Sequence, residues 1–242
     1  MVRSLDYFFI FFALLCGTII QGAVGFGFAL VAAPILMLLQ PDLVPGPITF
    51  AGLLLSLTMA LRERKAVDYQ NLIWLFLGFL PGLTLGALFL QTFTQSTLSL
   101  LFGFLVLTAV ALSSNGIKIH QQNRLITIPA GILSGIMNIT TSMGGPPIAL
   151  IYQNVSGPKF RGTLAIFFFT GSLLTIFGLN QIGRMGELEF INGLYLTPAV
   201  ALGLLLSQPA ADWLDKGKTR YAVLIIAALS GVSVIVKTIW IT

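Results

Sequence analysis

Charge is scarce in this 242-residue chain: only 9% of its residues are charged. It has one cysteine, Cys16, and one histidine, His120. A lone cysteine excludes an intramolecular disulfide. All eight carboxylates (Asp6, Asp42, Glu63, Asp68, Glu187, Glu189, Asp212 and Asp215) fall in loops or at the ends of apolar runs. No buried carboxylate is therefore expected to relay protons or hold a cation. The apolar runs also lack material for an acid–base pair or a metal cluster, so neither an enzyme nor a cofactor is expected. Only Lys237 sits inside an apolar run, close enough to its end to snorkel. The 13 Lys and Arg residues give a net charge of +5. They are scattered through short loops, which excludes the concentrated basic face that nucleic-acid binding needs.

What the chain has is apolar surface. It is 56% hydrophobic with a mean hydropathy of +0.95, more than a soluble domain can hide. An integral membrane protein follows, a single domain over 1–242 with the lipid bilayer as its solvent. The N-terminus, "MVRSLDYFFIFFALLCG", imitates a signal peptide ending in a lipoprotein-like box. Leu15 is too large for such a box and the apolar run continues past Cys16, so the segment is expected to be retained.

Apolar runs fall at about 7–39, 43–61, 71–90, 98–114, 125–153, 163–180, 190–211 and 221–241. Six have the length of one spanning helix, roughly 20 residues. The first and fifth are longer and are interrupted by small and polar residues. If every run crosses once, the two sides of the membrane receive 8 and 5 Lys/Arg. If runs one and five each enter and return, the sides receive 10 and 3. The positive-inside rule selects the second arrangement. It puts loops 62–70, 115–124, 154–162 and 212–220 in the cytoplasm and both termini outside. The expected fold is thus an all-α polytopic membrane protein of two inverted-topology repeats, about 1–117 and 118–242. Each repeat is a broken or re-entrant helical hairpin plus three transmembrane helices.

Two short matches support a duplication. "GAVGFGFALVAAP" (Gly22–Pro34) and "GIMNITTSMGGPP" (Gly135–Pro147) share their Gly-to-Pro spacing, at an offset of 113. Pro81 with Gly86 and Pro198 with Gly203 repeat a Pro-x4-Gly pattern at an offset of 117.

The glycine stretches carry the chemistry. A hairpin tip in hydrocarbon leaves backbone groups unpaired at several kcal/mol each, tolerable only inside protein or beside a polar cavity. Helix N-termini present free N–H groups and a partial positive charge, which suits anions. If both tips meet at mid-membrane, the amides around Gly25, Gly27, Gly144 and Gly145 point at one small anion. Asn138, Thr140, Thr141 and Ser142 add donors, and Gln21 assists. The bland readings stand beside these: the glycines serve only close helix packing, and the hydroxyls bond to carbonyls one turn back. Lys159 and Arg161 either attract anions at the cytoplasmic mouth or anchor the topology. "GFGFAL" has no strand–turn–helix context and is not a dinucleotide fingerprint.

"GAVGFGFALVAAPIL" and "GIMNITTSMGGPPIALIY" together resemble the sulfite exporter TauE/SafE family of membrane permeases, over essentially the whole chain. The resemblance places the family's motifs on Gly22, Gly25, Gly27 and Pro34, and on Gly135, Gly144, Gly145, Pro146 and Pro147. Phe26 and Phe28 interrupt a run that is often all glycine in relatives. The resemblance implies export of a small sulfur-containing anion, sulfite or an organosulfonate, across a bacterial inner membrane. The alternatives are a permease for another solute, such as a carboxylate or a neutral metabolite, and a non-transporting scaffold subunit. A homo-oligomer is compatible with each of these readings, the permease included.

Overall fold

The computed structural model describes residues 4–94, 124–214 and 219–241, with isolated positions between 96 and 111. The expected span at 98–114 lies largely outside the described residues, as do loop cations Lys118, Lys216 and Lys218.

Among the described residues there are nine α-helices and no strand. The first long run is split into α1 (Ser4–Val24) and α2 (Phe28–Leu39). A 3-10 turn (Pro41–Leu43) leads into α3 (Gly46–Glu63), and α4 spans Tyr69–Thr92. The second long run is split in the same way into α5 (Arg124–Thr141) and α6 (Gly145–Tyr152). Then follow α7 (Gly157–Gln181), α8 (Glu187–Leu214) and α9 (Thr219–Ile241). Four of these, α1, α4, α7 and α8, are long and apolar enough to cross a membrane. At 1.5 Å per residue α2 rises about 18 Å and α6 about 12 Å, both short of a ~30 Å hydrocarbon core.

Both breaks have one construction. Gly25 donates to the Gln21 carbonyl at 2.7 Å, and Ser142 donates to the Asn138 carbonyl at 2.9 Å. Each then leaves the helix with positive φ, 112° at Gly25 and 61° at Ser142. Glycine pays little for that region, whereas a serine there is held against a steric cost. Beyond each tip the chain doubles back along the helix it left. Phe28 lies against Gly17, where a Cβ would come within 2.7 Å of the Phe28 oxygen, and Ser134 Oγ donates to the Gly144 carbonyl.

The strongest packings are α4 on α5, α1 on α8, and α3 on α7. The first is a small-residue zipper: a Cβ on Gly78, Gly82, Gly131 or Gly135 would overlap backbone of the facing helix. Between α1 and α8, a Cβ on Gly22 or Gly203 would overlap the side chain of Ser207 or Thr18. Gly22 and Gly135, two of the motif positions that the resemblance implies, are thus packing positions. Large apolar side chains such as Phe8, Phe12, Leu77, Leu88, Phe177 and Leu205 point outward, while Thr18, Gln21, Ser134, Thr140 and Thr175 are buried. That distribution suits lipid outside and polar groups within.

Loop contacts bear on the two topologies. Arg161 pairs with Glu63 and Lys159 with Asp68, so segments 62–70 and 154–162 lie at the same end of the bundle. At the other end, Gly46 packs on Arg184 and Met185. An arrangement in which every run crosses once separates both of these pairs across the membrane.

Candidate functional site

A cavity of about 50 Å³ lies between the two breaks. Its walls are the first turn of α2 (Phe28, Ala29, Leu30), the start of α6 (Gly144, Gly145), and Gln21 and Asn138 on the helices preceding the breaks. Thr49, Gly52 and Ser56 of α3 and Phe168 and Ser172 of α7 complete it. Among the described residues lining it, none is charged. A water needs about 10–15 Å³ by this measure, so the space suits some three to five waters or one small oxyanion.

The donors follow from local structure. Gln21 is 6% exposed, and its Oε1 accepts the Phe28 amide at 3.1 Å. That caps one of the first-turn amides of α2; those of Ala29 and Leu30 come next at the cavity wall, where a helix supplies no carbonyl partners. In α6, Pro146 and Pro147 remove two first-turn N–H groups, which leaves the amides at Gly144 and Gly145. Both N-termini carry a partial positive charge toward the same space. Asn138 Nδ2 donates to Thr175 Oγ1 at 2.7 Å, which fixes its amide plane. Thr49 Oγ1 and Ser142 Oγ lie 2.9 Å apart, and Ser142 also donates to the Pro45 carbonyl at 3.2 Å.

Of the residues expected from sequence, Gln21, Gly27, Asn138, Ser142, Gly144 and Gly145 meet at the cavity. Gly25, Thr140 and Thr141 do not. Gly25 sits at the tip of the first break, where a Cβ would lie 2.8 Å from Phe160 and 3.1 Å from Arg161. Thr140 and Thr141 are buried, and their hydroxyls donate one turn back to the carbonyls of Ile136 (2.7 Å) and Met137 (2.8 Å). Thr49, Ser56 and Ser172 were not expected. Each is one of several hydroxyls spread along an apolar helix, and Thr49 and Ser56 do bond to their own i−4 carbonyls. Nothing in the sequence sets them apart from ordinary back-bonded hydroxyls.

Two of the carboxylates at the ends of apolar runs are partly covered. The side chains of Glu63 and Asp68 are only 14% and 9% exposed. They end α3 and precede α4, as read, but the helix ends converge and cover them. Burial works against ionisation of Asp68, yet hydrogen bonds from Asn71 and Lys159, and the Lys159 charge, hold its carboxyl below the usual carboxylate range. Lys159 and Arg161, expected either to attract anions at the cytoplasmic mouth or to anchor the topology, are both paired.

A second cavity of about 820 Å³ lies between the N-terminal parts of α1 and α8. Its lining is mostly apolar, with Gln40, Asp42 and Asn192 as exceptions, and shares no residue with the first.

Comparison with known proteins fits this arrangement. The family model "Sulfite exporter TauE/SafE" matches residues 9–234. The chain is also similar to "Probable membrane transporter protein YunE" of Bacillus subtilis (strain 168), 29% identical over 182 residues. That alignment takes in 69% of this chain and 60% of the relative. No solved structure matches the chain.

Proposed function

Because the chain belongs to the sulfite exporter TauE/SafE family of membrane transporters, we propose that it moves a small sulfur oxyanion, sulfite above all, through the cavity between the two helix breaks by alternating access. The single observation that carries this is the composition of that cavity: two helix N-termini, side-chain amides and hydroxyls converge on it, and no carboxylate does. Such a lining replaces the hydration of an anion and offers little to a cation. The ~50 Å³ volume matches sulfite better than a larger organosulfonate. The direction of movement is proposed as export, across an inner membrane with both termini outside.

The inverted repeat belongs to the same reading. Its support is a set of positions whose numbers all differ by 117: Gln21 and Asn138, Gly25 and Ser142, Phe28 and Gly145, Pro81 and Pro198. The packing of α1 on α8 then corresponds to that of α5 on α4. Aligning the two stretches by their outer Gly and Pro, at 113, sets the register four residues off. The ion pairs between 62–70 and 154–162 also favour the hairpin topology.

The test is uptake of labelled sulfite into liposomes holding the purified chain. Competition by sulfite and not by neutral solutes is expected. Competition by a neutral solute of similar size, with none by sulfite, would reject the anion reading. Absence of any flux would favour a scaffold subunit.

A further inference from the structure

We propose that Arg62, Glu63 and Arg161, with Phe26 and Phe160 above them, form a charge-selecting closure on one side of the cavity, in which the Glu63 carboxylate holds the place a passing oxyanion takes. This deepens the anion-permease reading and rests on it.

The triad is built from two elements, α3 and α7. Glu63 Oε1 accepts from Arg161 Nε of α7 at 2.9 Å and lies 3.3 Å from Arg62 Nε of α3. Arg62 also donates through Nη2 to the Gly22 carbonyl at 2.7 Å, which pins α1 just before its break. Arg161 is 4% exposed. Two guanidinium groups thus share one carboxylate oxygen, leaving the cluster net positive at the end of the bundle that carries 62–70 and 154–162.

A packed column joins this cluster to the cavity. Phe26 is fully buried, and a Cβ on Gly145 at the cavity wall would lie 3.3 Å from its ring. Phe26 meets Phe160 edge-on, with centroids 6.2 Å apart. Phe160 and the Arg161 stem in turn pack on Gly25. Along α3, Glu63 stands two turns beyond Ser56 of the cavity wall, roughly 10 Å. On the opposite side the contacts of Ser142 with Thr49 and Pro45 close the cavity. The two closures differ in chemistry: one is ionic, the other is a pair of hydroxyls.

The difference has a consequence. Separating the buried Arg161 charge from Glu63 leaves it uncompensated, which is costly, so the ionic closure opens readily only if another anion takes the place of the carboxylate. An oxyanion supplies the planar acceptor edge that a carboxylate does. It lets Arg62 and Arg161 exchange partners, freeing Glu63 and with it the tie between α3 and α7. A neutral solute or a cation offers no such exchange, and the closure stays shut.

The test uses the full chain with Cys16→Ala and a reporter Ser56→Cys, in liposomes, converted to a mixed disulfide by a charged methanethiosulfonate reagent, with release of methanesulfinate, from the face that bears 62–70 and 154–162. Labelling of this parent is expected to be slow. Glu63→Gln should speed it at least tenfold with no anion present, and the exchanged pair Glu63→Arg with Arg161→Glu should return it to the parent rate. An unchanged rate in Glu63→Gln, in protein that stays monodisperse, overturns the closure whether or not sulfite is a substrate. Methanesulfonate should speed labelling of the parent, whereas glycerol should not. If methanesulfonate competes with sulfite for flux yet leaves the labelling rate unchanged, partner exchange is wrong and the anion reading survives. If sulfite flux is itself absent while Glu63→Gln still opens the cavity, the anion reading fails and the closure survives.

Discussion

Replacing Gln21 by glutamate isolates the electrostatic part of the account. Gln21 Oε1 accepts the Phe28 amide and so holds the start of α2 against α1. A carboxylate of the same length keeps that acceptor, so the break retains its geometry. What changes is the charge facing a cavity of about 50 Å³. In a space of that size an anion sits about 4 Å from the new carboxylate. At an effective dielectric near 20 the repulsion is ~4 kcal/mol, or roughly three decades in affinity. Gln21→Leu makes the contrast: it leaves the Phe28 amide without its acceptor, at about 1–3 kcal/mol of local stability, but adds no charge. Labelled-sulfite binding to purified protein, with thermal unfolding as the control, separates the two. The glutamate variant should unfold near the wild-type temperature and lose nearly all binding, with binding recovering as acid neutralises the new carboxyl. Wild-type affinity in Gln21→Glu, or an affinity gained for a cation, would refute the reasoning.

Other expected outcomes test the placement of particular residues. Thr141→Val removes a hydroxyl that bonds to the Met137 carbonyl and not to the cavity; sulfite affinity should change by less than about threefold, since a back-bonded hydroxyl contributes little. Gly135→Val drives a side chain into the Phe79 carbonyl; α4 and α5 must part, at about 3 kcal/mol or more, and the monodisperse fraction in detergent should fall sharply. Asp68→Asn should lower the melting temperature at neutral pH. A carboxyl whose folded pKa is depressed stabilises above its unfolded pKa and loses that contribution as pH falls through the folded value, so the gap between variant and wild type should close in acid below the usual carboxylate range.

The parts of this architecture that were legible in the sequence are those that break a pattern. Glycines and prolines inside an apolar run have few explanations, and both breaks fall where Gly25–Gly27 and Ser142–Gly144 interrupt it. Charge counting over the loops put 62–70 and 154–162 on one side, as their ion pairs do, because cations report on sides regardless of packing. The wall contributed by α3 and α7 was not legible. Ser56 and Ser172 look like any isolated hydroxyl in a membrane helix until the neighbouring helix is placed. Thr140 and Thr141 stood out as polar residues, yet the helix itself satisfies them. Glu63 and Arg161 look like loop charges, since sequence position does not say which helix ends converge. The outer Gly and Pro of the two stretches match at a spacing of 113 and the hydrogen bonds at the two breaks at 117; Gly and Pro recur often enough in membrane helices that their spacing alone does not choose between them.

The most direct measurement is an anomalous-scattering structure of the protein with selenite, a heavier analogue of sulfite. A selenium peak within hydrogen-bonding reach of the Ala29 and Leu30 amides, between the starts of α2 and α6, is the predicted result. A peak in the larger space beside Asp42, with none between the breaks, would contradict the account.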